Sequence, residues 1–142
     1  MVFAKIVETE KEYDDAIYIR RKVFVEEQDV PLHLELDEYD MKATHFVAYD
    51  GDTPFGAGRI RIAEPTIGKV ERVCILPEYR GKKLGNLMME CMEDYAKDHQ
   101  FTKLKLNAQS HAISFYEKRD YVITSPEFLE AGIPHRAMEK EL

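Results

Sequence analysis

The sequence predicts an α/β fold in which a mixed β-sheet carries helices on both faces. Segments of alternating apolar and polar residues, typical of strands, recur along the chain, and segments with apolar residues at helical spacing lie between them. Strands and helices are interleaved rather than grouped, which is typical of a layered sheet-and-helix architecture. The order indicates a sheet of six to seven strands flanked by about four helices.

Length and composition exclude several classes of protein. With 142 residues, 44% hydrophobic and 33% charged, the chain is expected to form a single domain over residues 1–142. Its 27 acidic and 20 basic residues argue against a nucleic-acid partner. Charges throughout the N-terminal segment argue against a signal peptide, and no apolar run reaches the roughly 20 residues of a membrane span. The two cysteines form no motif, so we expect a cytoplasmic location.

The N-terminal part predicts a strand, a long helix and a loop. Residues 2–8 alternate as a first strand, and Thr9 with Glu12 forms a capping box for a helix that runs to about Gln28. Residues 29–43 are acidic and contain an early proline, which indicates a loop with one short helix.

A hairpin, a further strand and a strongly amphipathic helix follow. Residues 45–50 and 54–64 flank the turn DGDT as a β-hairpin, and residues 69–76 form the fourth strand. Gly56 and Gly58 are expected where another group approaches the strand closely. The helical stripe consists of Leu84, Leu87, Met88, Cys91, Met92, Tyr95 and Ala96.

The C-terminal part predicts three strands and one short helix. Residues 102–108 form the fifth strand, and Ser110 caps a helix that ends near Lys118. Two terminal strands follow, near residues 120–125 and 135–141.

A basic, glycine-containing loop opens the amphipathic helix. In PEYRGKKLGNLMM (77–89), Arg80, Lys82 and Lys83 lie where the free N–H groups and positive dipole of a helix N-terminus attract an anion. Gly81 and Gly85 allow backbone to approach phosphate oxygens. The alternative is a plain strand–helix connection with solvated lysines.

Two motifs in this chain resemble those of the GNAT acetyltransferase superfamily. VCILPEYRGKKLGNLM resembles the acetyl-CoA motif Arg/Gln-x-x-Gly-x-Gly/Ala, with Arg80 leading and Gly85 closing. FYEKRDY (115–121) resembles the second hallmark, Phe-Tyr-x-x-x-Gly-Phe/Tyr. Four further segments resemble the ElaA-like and YjcF-like bacterial branch of this superfamily: RRKVFVEEQDVP, HFVA, LNAQ and FLEAGIPH.

The chain departs from the family pattern at two glycine positions. Lys83 occupies the first glycine of the acetyl-CoA motif, and Asp120 occupies the glycine of the second hallmark. A left-handed backbone at Lys83 would cost roughly 1–2 kcal/mol. We therefore expect Lys83 to be helical, with its amide and its charge near the phosphates.

The resemblance implies an acetyl-CoA-dependent N-acetyltransferase of the GNAT fold, which moves an acetyl group directly to a primary amine without a metal. The diphosphate would bind the amides of residues 81–86, and the pantetheine arm would run beside a fourth strand that splays from the fifth. The side chain of Asn107, at the end of the fifth strand, would bond to the same arm; capping of the strand end is an equally good interpretation of this residue. The implied coenzyme-binding residues are Val73, Cys74, Ile75, Arg80, Gly81, Lys82, Lys83, Leu84, Gly85, Asn86, Asn107 and Phe115.

The implied general acid is Tyr116, which would protonate the departing thiolate; packing on the sheet is its alternative. Two residues are candidates for the general base. Glu71 alternates with Val73 and Ile75, so the three are expected to share one face, and an edge-strand ion pair is its alternative. The second candidate is His135, because histidine as a residue type changes its charge near neutral pH; a surface imidazole without a catalytic role is the alternative.

Other polar residues give weaker indications. An acidic stretch could line the acceptor cleft, although solvated side chains explain most of it: Glu26, Glu27, Glu35, Asp37 and Asp40. Cys74 is expected to be a buried strand cysteine on the face opposite Glu71. The five histidines show no ligand spacing, so no metal is expected.

Two alternatives to an enzyme are open at this stage. A catalytically weak acyl-CoA sensor or interaction module would keep the fold without turnover, and a nucleic-acid-binding module conflicts with the net charge of −7. The acceptor stays undetermined among small amines and peptide amines. Family resemblance also implies a possible homodimer.

Overall fold

The computed structural model describes residues 1–142 and has an eight-stranded sheet at its centre. The order across the sheet is β1-β2-β3-β4-β5-β8-β6, and β7 pairs with β8. The strands are β1 Val2–Ile6, β2 Thr44–Asp50, β3 Thr53–Glu64, β4 Ile67–Ile75, β5 Lys103–Gln109, β6 Val122–Ile123, β7 Phe128–Glu130 and β8 Ile133–Glu141. This is the mixed sheet that the sequence predicts.

Four α-helices connect the strands. They are α1 Glu10–Arg20, α2 Leu32–Glu35, α3 Leu84–Asp98 and α4 Ile113–Glu117. The predicted capping box of Thr9 and Glu12 starts α1, which continues as a π-helix over Arg21–Glu27. Short 3₁₀ turns lie at Glu38–Met41, Pro77–Tyr79 and Ser110–Ala112. None of these helices combines the length and the apolar character of a bilayer span.

The two faces of the sheet bury separate apolar cores. On one face α3 and α4 pack through Met88, Met92 and Tyr116, which are fully or almost fully buried. On the other face α1 packs through Ala16 and Ile19. Both helical faces remove apolar area from water, which is the main stabilising contribution in such a layered fold.

Gly56 and Gly58 in β3 lie where neighbours approach closely, as predicted. A Cβ atom at Gly56 would lie 2.9 Å from Ile75 Cδ1, and one at Gly58 would lie 2.9 Å from Met92 Sδ. These glycines allow α3 and β4 to pack directly on the β3 backbone.

The structure differs from the prediction in its C-terminal strands. Between the two terminal strands predicted near residues 120–125 and 135–141, Phe128–Glu130 forms a further strand, β7, which pairs antiparallel with the start of β8. The connecting residues Ala131 and Gly132 both have positive φ, 51° and 75°. Two consecutive left-handed residues make a tight hairpin turn, and Ala-Gly lacks the Asn or Asp that usually signals one.

Candidate active site

Five consecutive backbone amides are free at the start of α3. The N–H groups of residues 81–85 donate to no backbone carbonyl and to no side chain, whereas Asn86 N–H donates to Lys83 C=O at 3.2 Å. Gly81 has a φ of 78°, which turns the chain just before the helix. A row of free donors at the positive end of a helix dipole is suited to a phosphate group.

Lys83 is not helical, so that expectation was wrong. It is the N-cap of α3 and has φ 63° and ψ 20°, in the left-handed region. Asp120, at the other departure from the family pattern, has a φ of 74°. Both positions therefore keep the backbone conformation that a glycine favours, and here other side chains accept it at some cost.

The side chains of the loop are partly engaged within the protein. Arg80 forms two 2.6 Å hydrogen bonds to the carboxylate of Glu27, and its Nε donates to Ile75 C=O at 2.9 Å. Asn86 Oδ1 accepts from Arg119 at 2.9 Å. Lys82 is exposed and lies over the ring of Tyr79, so its charge is available beside the free amides.

Gly85 and Phe115 bring the two sequence motifs together. A Cβ atom at Gly85 would lie 3.2 Å from the Phe115 ring, so the absence of a side chain lets α4 pack against the first turn of α3. Leu84 packs against the adjacent apolar core. The loop and the FY motif thus form one contiguous region.

A gap opens between β4 and β5 next to this loop. The two strands pair in parallel only from Ile67 to Val70, opposite Lys103 to Leu106. Beyond that point β4 continues beside β3, and β5 continues beside β8. The expected splay is therefore present, and it leaves one edge of β4 without a neighbouring strand.

The backbone of Ile75 faces this gap. Leu76 N–H donates to Phe55 C=O in β3 at 2.8 Å, and backbone groups alternate in direction along a strand. The N–H and C=O of Ile75 therefore point away from β3, which is consistent with the Arg80 bond to that carbonyl. The edge presents a main-chain donor to an extended ligand.

A bulge in β4 overturns the expected alternation of its side chains. Arg72 has a φ of 61°, and Glu71 pairs with Arg59 whereas Cys74 pairs with Ala57, so β4 has one residue more than β3 here. Val73 and Ile75 pack on the α3 face. Glu71 instead points to the α1 side, the same face as Cys74, so both face assignments were wrong.

Cys74 is buried under α1, as expected for a structural cysteine. Burial raises the pKa of its thiol to about 12. The thiol is therefore protonated near neutral pH and unsuited to nucleophilic attack.

Glu71 is surrounded by basic groups. Its Oε1 accepts from Arg59 at 2.9 Å and from Arg61 at 2.8 Å, and Lys69 lies 3.6 Å from Oε2. Burial alone would raise the pKa of Glu71, but the hydrogen bonds and charges of the two arginines outweigh it and lower the pKa. A carboxylate held in this way is a weak proton acceptor.

Tyr116 lies in α4 with its hydroxyl free of protein partners. Its ring is almost fully buried and packs edge-on against Phe115 and Tyr121, at centroid distances of 5.0 and 5.6 Å. Burial, with a smaller contribution from Cys74, raises the pKa of Tyr116 above its ordinary range. The hydroxyl therefore keeps its proton at neutral pH and is able to donate it.

Asn107 and His135 lie on the other side of the gap, together with a residue that the sequence did not indicate. Asn107 Nδ2 donates to Glu130 Oε1 at 3.1 Å. His135 Nε2 lies 3.6 Å from Glu130 Oε2, and the imidazole is 6% exposed. Glu130 belongs to the strand β7 that the prediction missed, although it lies in FLEAGIPH (128–135), the same branch-like segment that contains His135.

The acidic stretch is neutralised within the protein rather than solvated or open to a ligand. Arg20 holds Glu35 at 2.7 Å and Asp40 at 2.7 Å, and Arg59 holds Asp37 at 2.8 Å. The network consists of Glu35, Asp37, Asp40 and Glu71 with Arg20, Arg59, Arg61 and Arg72. Glu35 and Asp40 are therefore neither solvated nor free to attract a cationic amine, since these carboxylates are buried and paired.

The remaining acids of the stretch differ from those in the network. Glu26 pairs with Lys22 at 3.2 Å on the exposed surface, and Glu27 pairs with Arg80. No group of three or more His, Cys, Asp or Glu side chains is arranged to hold a metal ion.

The family model "Acetyltransferase (GNAT) domain" matches residues 9–142. The chain belongs to the GNAT acetyltransferase family. The match covers the loop, the gap and the FY motif, and the fold is that of an acyl-CoA N-acyltransferase.

Relatives of this GNAT protein agree with the assignment. It is 43% identical over 139 residues to the uncharacterized N-acetyltransferase YjcF of Bacillus subtilis, covering 97% of this chain and 99% of YjcF. It superposes on an acyl-CoA N-acyltransferase from Pseudomonas aeruginosa with a TM-score of 0.86 and 26% identity, covering 99% and 98% of the two chains. Escherichia coli ElaA superposes with a TM-score of 0.89 and 22% identity, covering 99% and 100%. The predicted branch is confirmed, and the chain is an N-acetyltransferase by family.

Proposed function

We propose that the protein transfers an acetyl group from acetyl-CoA directly to a primary amine. The observation that supports this most strongly is the row of five free amides at residues 81–85 beside the unpaired edge of β4. An anionic head and an extended amide-containing arm are what such donors can bind together. Coenzyme A has both parts.

In this proposal the diphosphate binds the free amides, with Lys82 and Lys83 adding positive charge. The arm lies along Val73–Ile75 and bonds to backbone that faces the gap, with Asn107 on the opposite side. Arg80 leaves Glu27 to contribute charge, and Asn86 and Phe115 support the loop from α3 and α4. A main-chain donor of β4 polarises the thioester carbonyl, where negative charge develops during attack.

The chemistry needs a group that protonates the departing sulfur and a group that takes a proton from the amine. Tyr116 is proposed as the acid because its buried hydroxyl keeps its proton and bonds to no other group. For the base, the surroundings favour His135 over Glu71, because two arginines already hold the Glu71 carboxylate.

The acceptor is proposed to be a small amine with one positive charge. The carboxylates over the β3–β4 face are balanced by an equal number of guanidinium groups, so this wall of the cleft carries little net charge. A cytoplasmic location belongs to the same proposal, since both cysteines are free thiols.

Two measurements test this function. Isothermal titration calorimetry should detect binding of CoA and of acetyl-CoA, and thiol release from acetyl-CoA should depend on an added primary amine. Binding without amine-dependent thiol release over a broad panel of amines would instead support the sensor. Absence of any heat with either coenzyme would contradict both.

A further inference from the structure

Three side chains on the β5 side of the gap form a connected polar group. Asn107, Glu130 and His135, here called the Glu130 cluster, come from β5, β7 and β8. Glu130 joins the other two, since Oε1 accepts from Asn107 Nδ2 at 3.1 Å and Oε2 lies 3.6 Å from His135 Nε2. The imidazole is buried and lies parallel to the ring of Phe128, with centroids 6.1 Å apart, whereas the carboxylate is half exposed.

The hydrogen bond at the other ring nitrogen fixes the tautomer of His135. Nδ1 lies 2.6 Å from Ile133 C=O, and a carbonyl oxygen can only accept a hydrogen bond. Nδ1 therefore carries the proton in the neutral imidazole, and the lone pair of Nε2 faces Glu130. In this form Nε2 is ready to take a proton.

The Glu130 cluster lies at the point where the sheet opens. Leu106 is the last β5 residue paired with β4, and Asn107 is the next residue along the strand. On the same face, Gln109 lies opposite His135 and bonds to Gln28 at 2.9 Å. The cluster thus lies beside the gap at Asn107, and near His135 it adjoins Gln109 and Gln28, which follows the π-helix that continues α1.

The charged groups around His135 leave Glu130 as its one charged contact. On β5 its neighbours Asn107 and Gln109 are neutral, and His111 reaches Gln109 rather than His135. Glu127, in the segment before β7, accepts from Ser110 at 2.8 Å. Arg136 points to the opposite face of β8 by alternation.

We propose that Glu130 holds the ammonium group of the acceptor and that His135 takes its proton through Nε2. This assignment rests on the proposed function and extends it to the amine side of the reaction. An ammonium bound to Glu130 is within reach of Nε2 across one water molecule, given the 3.6 Å separation of the two side chains. Glu130 thereby determines that the acceptor is cationic when it binds.

The proton and electron balance closes over one turnover. The ammonium gives one proton to His135, and the neutral amine attacks the thioester carbonyl. A C–N bond forms and the C–S bond breaks, while Tyr116 gives its hydroxyl proton to the sulfur. The second proton on nitrogen returns to Tyr116, and His135 releases its proton to solvent, so one proton is produced per amide.

Steady-state kinetics with a matched control tests the pair. Glu130→Gln should raise KM for the amine about tenfold with little change in kcat, and His135→Gln should lower kcat about 100-fold. Glu127→Gln removes a nearby carboxylate outside the cluster and should change neither quantity, and Glu130→Asp should restore part of the amine affinity.

A second measurement does not depend on turnover. Nitrogen NMR of the imidazole should show the neutral form of His135 protonated at Nδ1, because this nitrogen donates to Ile133 C=O. A neutral ring protonated at Nε2, or a Glu130→Gln enzyme with an unchanged KM for the amine, would overturn the pair while coenzyme binding persists. Loss of coenzyme binding in the unaltered protein would instead contradict the proposed function.

Discussion

At the scale of single residues, the site combines one free hydroxyl with one strained backbone position. Tyr116 has no hydrogen-bond partner for its hydroxyl, whereas the neighbouring Tyr121 donates to Glu93 at 2.9 Å. Lys83 has a left-handed backbone immediately before α3. Substitutions at these positions therefore distinguish effects on the reaction rate from effects on the stability of the fold.

Tyr116→Phe should lower kcat about 100-fold, because the departing thiolate loses its proton donor. The change removes no hydrogen bond within the protein, so the melting temperature and the affinity for CoA should stay the same. Tyr121→Phe is the matched control, which should lower the melting temperature and leave kcat largely unchanged. Thiol-release kinetics and thermal unfolding measure the two quantities, and equal kcat values for the two variants would exclude Tyr116 as the acid.

Because burial raises the pKa of Tyr116, this residue should impose no alkaline decline on the rate. The pH profile of kcat should therefore stay level from about pH 8 to pH 10, provided that the enzyme is saturated with both substrates. A decline that disappears in Tyr116→Phe would contradict the expected ionisation state.

Lys83→Gly should increase the free energy of unfolding by about 1 kcal/mol, because glycine accepts the left-handed backbone without steric cost. Lys83→Ala removes the same charge but keeps that cost, so it should not be stabilised. Urea unfolding measures this difference. Both variants should bind CoA more weakly to the same extent, if the lysine contributes through its charge alone.

At the scale of elements, the acid–arginine network fixes the segment 29–43 over β3 and β4. Arg72 reaches this segment from the β4 bulge, donating to Glu35 Oε2 at 2.9 Å and to Leu34 C=O at 3.1 Å. An acidic sequence thereby becomes a wall with balanced charges. This wall borders the cleft that the acceptor is proposed to enter.

Spermidine should be no better an acceptor than propylamine, since paired carboxylates do not attract extra positive charge. The kcat/KM for spermidine divided by that for propylamine should change by less than about threefold between low and high salt. Arg72→Gln removes one balancing charge and should raise the ratio at low salt. A ratio above tenfold in the unaltered enzyme that falls with salt would contradict the balanced-wall description.

The sequence predicted the elements that repeat a regular pattern and missed those that break one. The capping box and the α3 stripe are local features, so α1 and α3 were placed correctly. The predicted cap at Ser110 was wrong, because α4 begins at Ile113 and the Ser110 hydroxyl donates to Glu127 instead. The β4 bulge was missed because arginine at position 72 gives no sign of a positive φ, and the missed bulge reversed the face of Glu71. Glu130 was missed because its strand depends on pairing with β8, and the buried Arg20 network depends on contacts between distant segments.

At the scale of the whole molecule, Asp40 joins α1 to the sheet. Its Oδ1 accepts from Arg20 and from Arg59, both at 2.7 Å. Burial alone would raise the pKa of Asp40, but the hydrogen bonds from these arginines outweigh it and lower the pKa to about 2. The ionised carboxylate therefore stabilises the folded protein at any pH above its ordinary titration range.

This contribution, about 2 kcal/mol, should be lost as the pH falls from about 4 to about 2, because the unfolded chain takes up the proton first. Asp40→Asn should destabilise the protein by about 3 kcal/mol at neutral pH and flatten its pH dependence in that window. Urea unfolding between pH 2 and pH 7 measures both effects. The exposed, unpaired Asp94 supplies the control, and Asp94→Asn should reproduce the unaltered curve.

The parting of β4 and β5 also affects how the fold withstands heat. Only the run Ile67–Val70 joins the two halves of the sheet directly. A coenzyme bound between the separated strands therefore adds a further connection between these halves. With acetyl-CoA at about 100 times its dissociation constant, folding gains about 2.7 kcal/mol, equivalent to roughly 5–10 °C in melting temperature. Differential scanning calorimetry should show this rise in melting temperature with the coenzyme. Free adenosine diphosphate at equal concentration should give a much smaller rise, because the nucleotide alone does not fill the gap between β4 and β5.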